Sequence, residues 1–236
     1  MKKTYDIKKT FKALKVVLNK PVKNEKSEIN ESLTIITVDT EKSVLVSSNL
    51  KQLVKASFPK NFSYSGDMRF FPISYNMVQT ILKEKVINSV HFEVEEIETK
   101  ETETYRKSAV VTMILNDKIE IKESFVNWRV IPYEGIESDV PANTIFSLNN
   151  ELKELVKDKN SFFYADSDFK TISEEELNAL REQDNNKGVY LKGEDLKKLF
   201  SIDSDFMPFT NEFNKNLTFK SVHFPVAFTT VQRRLG

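Results

Sequence analysis

Both histidines of this 236-residue chain lie in nearly identical surroundings, which makes them the first candidates for chemistry. His91 lies in SVHFEV, residues 89–94, and His223 lies in SVHFPV, residues 221–226. If both segments are strands, their alternating apolar residues share one face and both imidazoles point the other way. No HxH, HxxxH or HExxH spacing is present, so a metal site would need ligands that the sequence does not indicate. The echo has three explanations: chemistry, an internal repeat, or chance.

The residue types that other catalytic mechanisms need are absent or scattered. The chain has no cysteine and only five glycines, and it contains neither a GxSxG elbow nor a glycine-rich phosphate loop. Its carboxylate pairs, such as Glu95 and Glu96, lie in charge runs that are typical of a solvated surface. We therefore predict that the protein is not an enzyme and that it needs no metal or cofactor.

Segregated lysines are the stronger signal. Residues 8–20 contain five lysines and no acidic residue, although the whole chain has 35 basic and 35 acidic residues. A basic surface in a neutral protein indicates binding to a polyanion, and rows of lysine can hold phosphates without reading bases. The alternative to a binding surface is that these lysines form only the solvent-exposed side that any amphipathic helix has. The candidate DNA-binding residues are Lys8, Lys9, Lys12, Lys15 and Lys20, with Lys83, Lys153, Lys157, Lys197 and Lys198 as lesser candidates.

The first helix positions most of these lysines. Apolar residues spaced i, i+4, i+7 and i+11 predict an amphipathic helix that begins at its N-cap, Asp6, and ends at Lys20, before Pro21. Lys8, Lys12 and Lys15 fall within about 60° of one another on its polar side. The apolar stripe consists of Ile7, Phe11, Leu14 and Leu18.

Alternating apolar residues predict antiparallel strands in much of the remaining chain, notably in ESLTIITVDTEKSVLVSSN, SVHFEVEEIE, KSAVVTMIL and KIEIKESFVNWRV. Further helices are predicted after Ser74, in ELKELV, in SEEELNALREQ with a Ser173–Glu176 capping box, and in GEDLKKLF. The Pro- and Gly-containing stretch IPYEGIESDVPAN breaks the pattern. It predicts a first domain over 1–131, a connector over 132–143 and a shorter second domain over 144–236.

Four segments share one strand-to-helix pattern: YDIKKTFKALKVVL, FPISYNMVQTIL, FSLNNELKELV and VYLKGEDLKKLF. Their order, with several strands after each helix, is repeated in the two halves of the chain. This order resembles the sliding DNA clamp family, which includes bacterial beta clamps, proliferating cell nuclear antigen and phage processivity factors. One departure is the short stretch between ELKELVKDKN and GVYL, where the clamp pattern does not supply the helix predicted in SEEELNALREQ.

The resemblance implies an α+β fold of two clamp-like domains, each an antiparallel sheet structure with two helices. It implies a ring, expected to be a homotrimer, that encircles double-stranded DNA independently of sequence and tethers DNA polymerase or other replication proteins. Partner peptides are expected near the connector, at Ile131, Pro132, Tyr133 and Ile136.

No apolar run is long enough to span a membrane, and MKKTYDIKKTF lacks a signal-peptide core. We therefore expect a cytoplasmic protein of a bacterium or a phage-infected cell. Two alternatives remain open. One is a structural or interaction protein of a phage or mobile element. The other is a single-strand DNA-binding or annealing protein that stacks bases on Tyr64, Phe70 and Phe71 beside Arg69.

Overall fold

The computed structural model describes residues 6–21, 33–97, 106–136, 140–141, 146–147, 153–154, 157, 162–165, 170–181, 189–210 and 216–230. The chain divides into two compact units, Met1–Tyr133 and Glu134–Gly236. The division falls at the start of the predicted connector. The architecture is α+β, as predicted.

The first sheet of unit 1 is antiparallel and lies against the first helix. Its strand order is β3-β2-β1-β5. Every residue of β1 is buried. The strand lies between β2 and β5 in the sheet, and α1 packs on the neighbouring strands β2 and β3. The elements are α1 (Ile7–Lys15), β1 (Ile35–Asp39), β2 (Val44–Ser48), β3 (Gln52–Ser57) and β5 (Phe70–Ser74).

Helix α1 begins as predicted and ends five residues earlier than predicted. The Asp6 carboxylate accepts a hydrogen bond from the Lys8 backbone N–H at 2.7 Å, which confirms the N-cap. At the other end, the hydroxyl of Ser47 donates to the Leu14 carbonyl at 2.7 Å. Asn19 N–H then donates to the Leu33 carbonyl at 2.9 Å. The Leu14 carbonyl is thus satisfied from outside the helix. The chain leaves α1 through turns in which the N–H groups of Val16 and Leu18 bond to the carbonyls of Ala13 and Lys15, both at 3.1 Å.

The second sheet of unit 1 has the order β4-β6-β7-β8, in which only the β4–β6 pair is parallel. Helix α2 (Tyr75–Lys83) follows β5, and its predicted N-cap is confirmed because the Ser74 hydroxyl accepts from Met77 N–H at 3.1 Å. The strands are β4 (Phe62–Ser65), β6 (Val90–Glu96), β7 (Arg106–Leu115) and β8 (Ile119–Arg129).

Gly66 allows the chain to leave β4 close to β6. Its φ is +110°, and an added Cβ would lie 2.2 Å from the carbonyl oxygen of Val94. Both the backbone angle and the contact exclude a side chain at this position. The glycine therefore lets the parallel β4–β6 pair form at this place in the sheet.

Aromatic side chains connect the two sheets of unit 1. Phe71 on β5 and Phe92 on β6 are fully buried, with ring centroids 5.8 Å apart. Phe62 of β4 lies 5.4 Å from Phe92. These distances are typical of favourable aromatic pairs, so the core of unit 1 lies between β5 and β6.

Unit 2 also contains two sheets. In the first, β10, β14, β15 and β16 follow one another and β9 also pairs with β14. The second has the order β12-β11-β13. The strands are β9 (Val140–Pro141), β10 (Phe146–Ser147), β11 (Phe162–Ala165), β12 (Lys170–Ile172), β13 (Val189–Lys192), β14 (Asp205–Thr210), β15 (Leu217–Ser221) and β16 (Val226–Thr230).

Two helices of unit 2 form where the sequence predicts them. Helix α3 (Glu174–Arg181) has the predicted capping box: Ser173 N–H donates to the Glu176 carboxylate at 2.7 Å, and Glu176 N–H donates to the Ser173 hydroxyl at 3.1 Å. Helix α4 (Gly193–Ile202) follows β13. The predicted stripe of Leu152, Leu155 and Val156 lies outside the described residues.

Only the first of the two histidine segments forms a strand at its histidine. Val90, Phe92 and Val94 are buried on β6, as alternation requires. Residues 222–225, by contrast, form the bend between β15 and β16. The Ser221 hydroxyl accepts from the N–H groups of His223 and Phe224 at 3.2 and 3.1 Å, which favours a turn over a strand.

Candidate nucleic-acid interface

Helix α1 separates an apolar side from a lysine-bearing side. Ile7, Phe11 and Leu14 are buried, whereas Lys9 and Lys12 are exposed and Lys15 is half-buried. At 100° per residue, Lys12 lies nearly opposite the centre of the buried side, and Lys9 and Lys15 lie on either side of it. No acidic side chain of the described residues pairs with these three lysines. We call Lys9, Lys12 and Lys15 the basic face.

Lys8 differs from its neighbours because it contacts another helix. Its ammonium donates to the backbone carbonyl of Glu84, the C-cap residue of α2. The side chain is half-buried, whereas that of Lys9 is exposed. A cation at the carbonyl end of a helix is electrostatically favourable. Lys8 therefore binds α1 to α2.

A shallow groove with a volume of about 410 Å³ lies between α1 and α2. Lys12, Lys15 and Val16 line one side and Leu82 the other. Its surface is mostly apolar, and the two ammonium groups belong to the basic face. The predicted Lys83 follows Leu82 at the exposed end of α2.

The remaining predicted lysines occupy different settings. Lys20 is exposed beyond the end of α1. In unit 2, Lys157 forms an ion pair with Glu154 at 2.6 Å, and Lys198 forms one with Glu194 at 3.4 Å. The side chains of Lys153 and Lys197 are exposed.

Two of the four predicted partner-binding residues are buried in unit 1. Ile131 and Tyr133 are 7% and 6% exposed, and the Tyr133 hydroxyl donates to the Asp39 carboxylate at 2.8 Å. Pro132 is exposed and Ile136 is half-buried. Tyr133, near the start of the predicted connector, is thus packed against the end of strand β1 at Asp39.

Asp39 is a buried anchor that the sequence analysis did not single out. Besides Tyr133, it accepts from Arg69 at 3.2 Å and from the backbone N–H groups of Glu41 and Lys42 at 3.0 and 3.1 Å. Burial opposes its ionisation, but these hydrogen bonds and the Arg69 charge outweigh burial and lower the pKa of Asp39. The signal available in the sequence was an aspartate at the start of the DTEK turn, a position where carboxylates cap backbone N–H groups.

Neither histidine joins a catalytic or metal-binding cluster. His91 lies between two hydroxyls on β4, with Nδ1 2.8 Å from Ser63 Oγ and Nε2 3.3 Å from Ser65 Oγ. His223 Nε2 lies 2.9 Å from Asp205 Oδ2 and 4.0 Å from Asp203 Oδ1. Within the described residues, no group of three or more acidic, histidine or cysteine side chains could hold a metal ion.

The aromatic residues named for single-strand binding do not form a stacking platform. Phe71 is fully buried. Arg69 lies over the Phe70 ring at 4.6 Å, but its guanidinium is also bound by Asp39 and Glu41. Of the three aromatic residues, Phe70 is half-buried and Tyr64 is exposed, and the centroid of the Tyr64 ring lies 6.1 Å from that of Phe71.

Comparison with solved structures identifies the fold. DNA polymerase III beta chain from Streptococcus pneumoniae superposes with a TM-score of 0.54 at 11% identity, covering 97% of this chain and 63% of that one. The DNA polymerase III beta subunit from Borrelia burgdorferi superposes with a TM-score of 0.55 at 12% identity, covering 97% of this chain and 62% of that one. The DNA polymerase sliding clamp from Bacillus subtilis superposes with a TM-score of 0.51 at 13% identity, covering 98% of this chain and 63% of that one. The chain therefore has the fold of bacterial sliding clamps.

This likeness is structural and partial. No family model and no curated protein matches the sequence. The chain spans about 63% of the length of the Streptococcus clamp chain, so that protein's activity and partners do not transfer with the fold. No helix in the described part of this chain is long and apolar enough to cross a membrane.

Proposed function

We propose that this protein is a non-enzymatic sliding clamp or processivity factor that encircles duplex DNA and tethers a polymerase or other replication proteins. A tether raises the effective concentration of its partner at the template and needs no bond to be made or broken. The proposal places the protein in the cytoplasm of a bacterium or a phage-infected cell, where replication takes place.

The observation that carries the proposal is the basic face on a clamp-like fold. Lys9, Lys12 and Lys15 project from one side of α1 with no described carboxylate paired to them. Phosphates present regular negative charge, so lysines can hold a duplex weakly and without reading its sequence. Weak, sequence-independent contacts permit sliding, which a tether that moves with a polymerase requires.

We further propose that three copies form the ring. Two clamp-like units in each chain give six in a trimer, the same number that the family resemblance implies for dimers of three-domain clamps. Strand β8 supports an interface at the end of unit 1, because it is an 11-residue outer strand of its four-stranded sheet. Outer strands have unpaired backbone groups on one side, and its Val126 is 63% exposed.

The proposed partner-binding surface is the connector, where two of the four predicted residues remain available to a peptide. Pro132 and Ile136 retain exposed or half-buried surface for a peptide, whereas Ile131 and Tyr133 support the backbone from inside unit 1. On this proposal, substitution of Pro132 or Ile136 weakens polymerase binding directly. Substitution of Tyr133 acts through the shape of the connector.

Topological retention tests the function. Subunits are diluted, then concentrated in the presence of nicked circular duplex, so that rings can close around the DNA without a loader. The expected result is a particle of three times the 27.4 kDa chain mass, which stays on circles in high salt and is released when the circle is linearised. A stable monomer, or equal retention on circular and linear DNA, overturns the proposal.

A further inference from the structure

The Lys8 side chain occupies a place that its sequence position does not indicate. It lies on the lysine-bearing side of α1, one residue before Lys9 and one turn before Lys12, and it appears equivalent to them in the sequence. Its ammonium nevertheless contacts the Glu84 carbonyl at the end of α2, 76 residues away in the chain.

This contact satisfies a requirement of α2. The last four carbonyls of a helix lack partners within the helix, and the carbonyl end carries partial negative charge. The Glu84 N–H still bonds to the Thr80 carbonyl at 3.3 Å, but the backbone at Glu84 is extended and ends the helix. The Lys8 ammonium thus supplies both a donor and a positive charge where α2 needs them.

We infer that Lys8 is a positioning residue that fixes α2 against α1, and that it makes no contact with DNA phosphate. The DNA contacts on this helix belong to Lys9, Lys12 and Lys15, so the inference rests on the proposed function. An ammonium already bound to a backbone carbonyl, on a half-buried side chain, would have to give up that contact to reach a phosphate.

The position of α2 matters because α2 forms one wall of the groove beside the basic face. Leu82 lies two residues before Glu84, and it faces Lys12, Lys15 and Val16 across the groove. Fixing the end of α2 therefore fixes the apolar surface next to two DNA-contacting ammonium groups. A deoxyribose can lie on such a surface while its phosphates meet the lysines.

The salt dependence of DNA binding separates the two roles. Each phosphate contact adds about 0.9 to the slope of log K against log salt for duplex DNA. We compare Lys8→Met with Lys9→Met and Lys12→Met, which remove the same charge from the same helix, by fluorescence anisotropy with a short labelled duplex. Lys9→Met and Lys12→Met are each expected to reduce the slope by about 0.9 for every phosphate contact that the ring loses, and to leave the melting temperature unchanged.

Lys8→Met is expected to show the opposite pattern. Its slope should match that of the wild type, and its melting temperature should fall by about 2–4 °C because α2 loses its end contact. Lys8→Arg, which keeps a charged donor, should restore the melting temperature.

The outcomes distinguish this inference from the function on which it rests. If the wild type does not bind duplex at low salt, the proposed function fails. If the wild type binds and Lys8→Met loses about 0.9 of the slope, only the assignment of Lys8 fails. A melting temperature for Lys8→Met equal to that of Lys9→Met also overturns the positioning role.

Discussion

Helix α1 in unit 1 and helix α4 in unit 2 both expose lysines, but they differ in their acidic residues. Helix α1 has no acidic residue, whereas α4 has Glu194 and Asp195 in its first turn and pairs Lys198 with Glu194. Lys157, which forms an ion pair with Glu154, repeats this second pattern. On the proposed function, α1 is a phosphate-binding surface because it has no carboxylates, and not only because it has several lysines.

The sheets of the two units differ in a related way. In chain order, β1 and β2 of unit 1 correspond to β11 and β12 of unit 2. They are followed by β3, β4, β5 and α2 in unit 1, and by α3, β13 and α4 in unit 2. The corresponding sheets have four strands in unit 1 and three in unit 2. Within the described residues, unit 2 therefore keeps the strand-to-helix order but has one helix where unit 1 has β3 and β4, in the short stretch before GVYL.

The largest expected difference between the units is in DNA binding. Reversing the basic face of unit 1, with Lys9, Lys12 and Lys15 all changed to Glu, should lower duplex affinity at low salt by about 100-fold or more, because three phosphate contacts become repulsive. The matched triple in unit 2 changes Lys153, Lys157 and Lys197 to Glu. We expect it to lower affinity less than about tenfold, because Glu154 already neutralises Lys157. Anisotropy titrations measure both, and circular dichroism verifies that each variant is folded. Equal losses in the two triples would contradict the comparison.

The next difference concerns how much a side-chain contact with an aspartate stabilises each unit. Tyr133→Phe removes a hydrogen bond to the buried Asp39 carboxylate and should lower the free energy of unfolding by about 1.5–3 kcal/mol. His223→Ala in unit 2 removes an exposed contact with Asp205 and should cost less than about 1 kcal/mol. Urea denaturation of both variants tests the ranking. If His223→Ala lowered the free energy of unfolding more than Tyr133→Phe does, exposure would be a poor guide to how much these contacts stabilise the protein.

The smallest expected effect is a pH dependence that arises at Asp39 of unit 1. The pKa of Asp39 is lowered on folding, so the stability that its charge supplies is complete above its ordinary value of about 3.9 and is lost as the pH falls through the folded pKa. The difference in unfolding free energy between wild type and Asp39→Asn should therefore be constant above about pH 5 and shrink below about pH 4. A difference that grows as the solution becomes more acidic would have the wrong sign for this anchor.

Local signals in the sequence predicted most elements correctly. The Asp6 and Ser74 caps, the Ser173–Glu176 capping box and the apolar alternation of β6 are confirmed because each depends on residues within a few positions of one another. The clamp-like order of elements could also be read from the chain, because repeated strand-to-helix junctions are visible as a pattern.

The errors and omissions arise from contacts between distant residues. Ser47 bonds to Leu14 at the early end of α1, Lys8 contacts Glu84, and Asp39 binds Tyr133, 94 residues away. No periodicity within a segment reports such partners. The histidine echo was misleading for the opposite reason: six similar residues form a strand in one place and a bend in the other. The two copies differ only at Pro225, which stands where the first copy has Glu93, and a proline lacks the N–H that a strand ladder uses.

Site-specific cross-linking tests most directly whether the basic face contacts DNA. The chain has no cysteine, so a single Lys12→Cys substitution carries a photoactivatable probe to one position. Lys122→Cys is the matched control, because Lys122 is also an exposed lysine of unit 1 but lies on β8. With chains assembled on nicked circular duplex, we predict strong cross-linking to DNA from position 12 and only background from position 122. Equal yields at the two positions, or a yield at position 122 alone, would contradict the account.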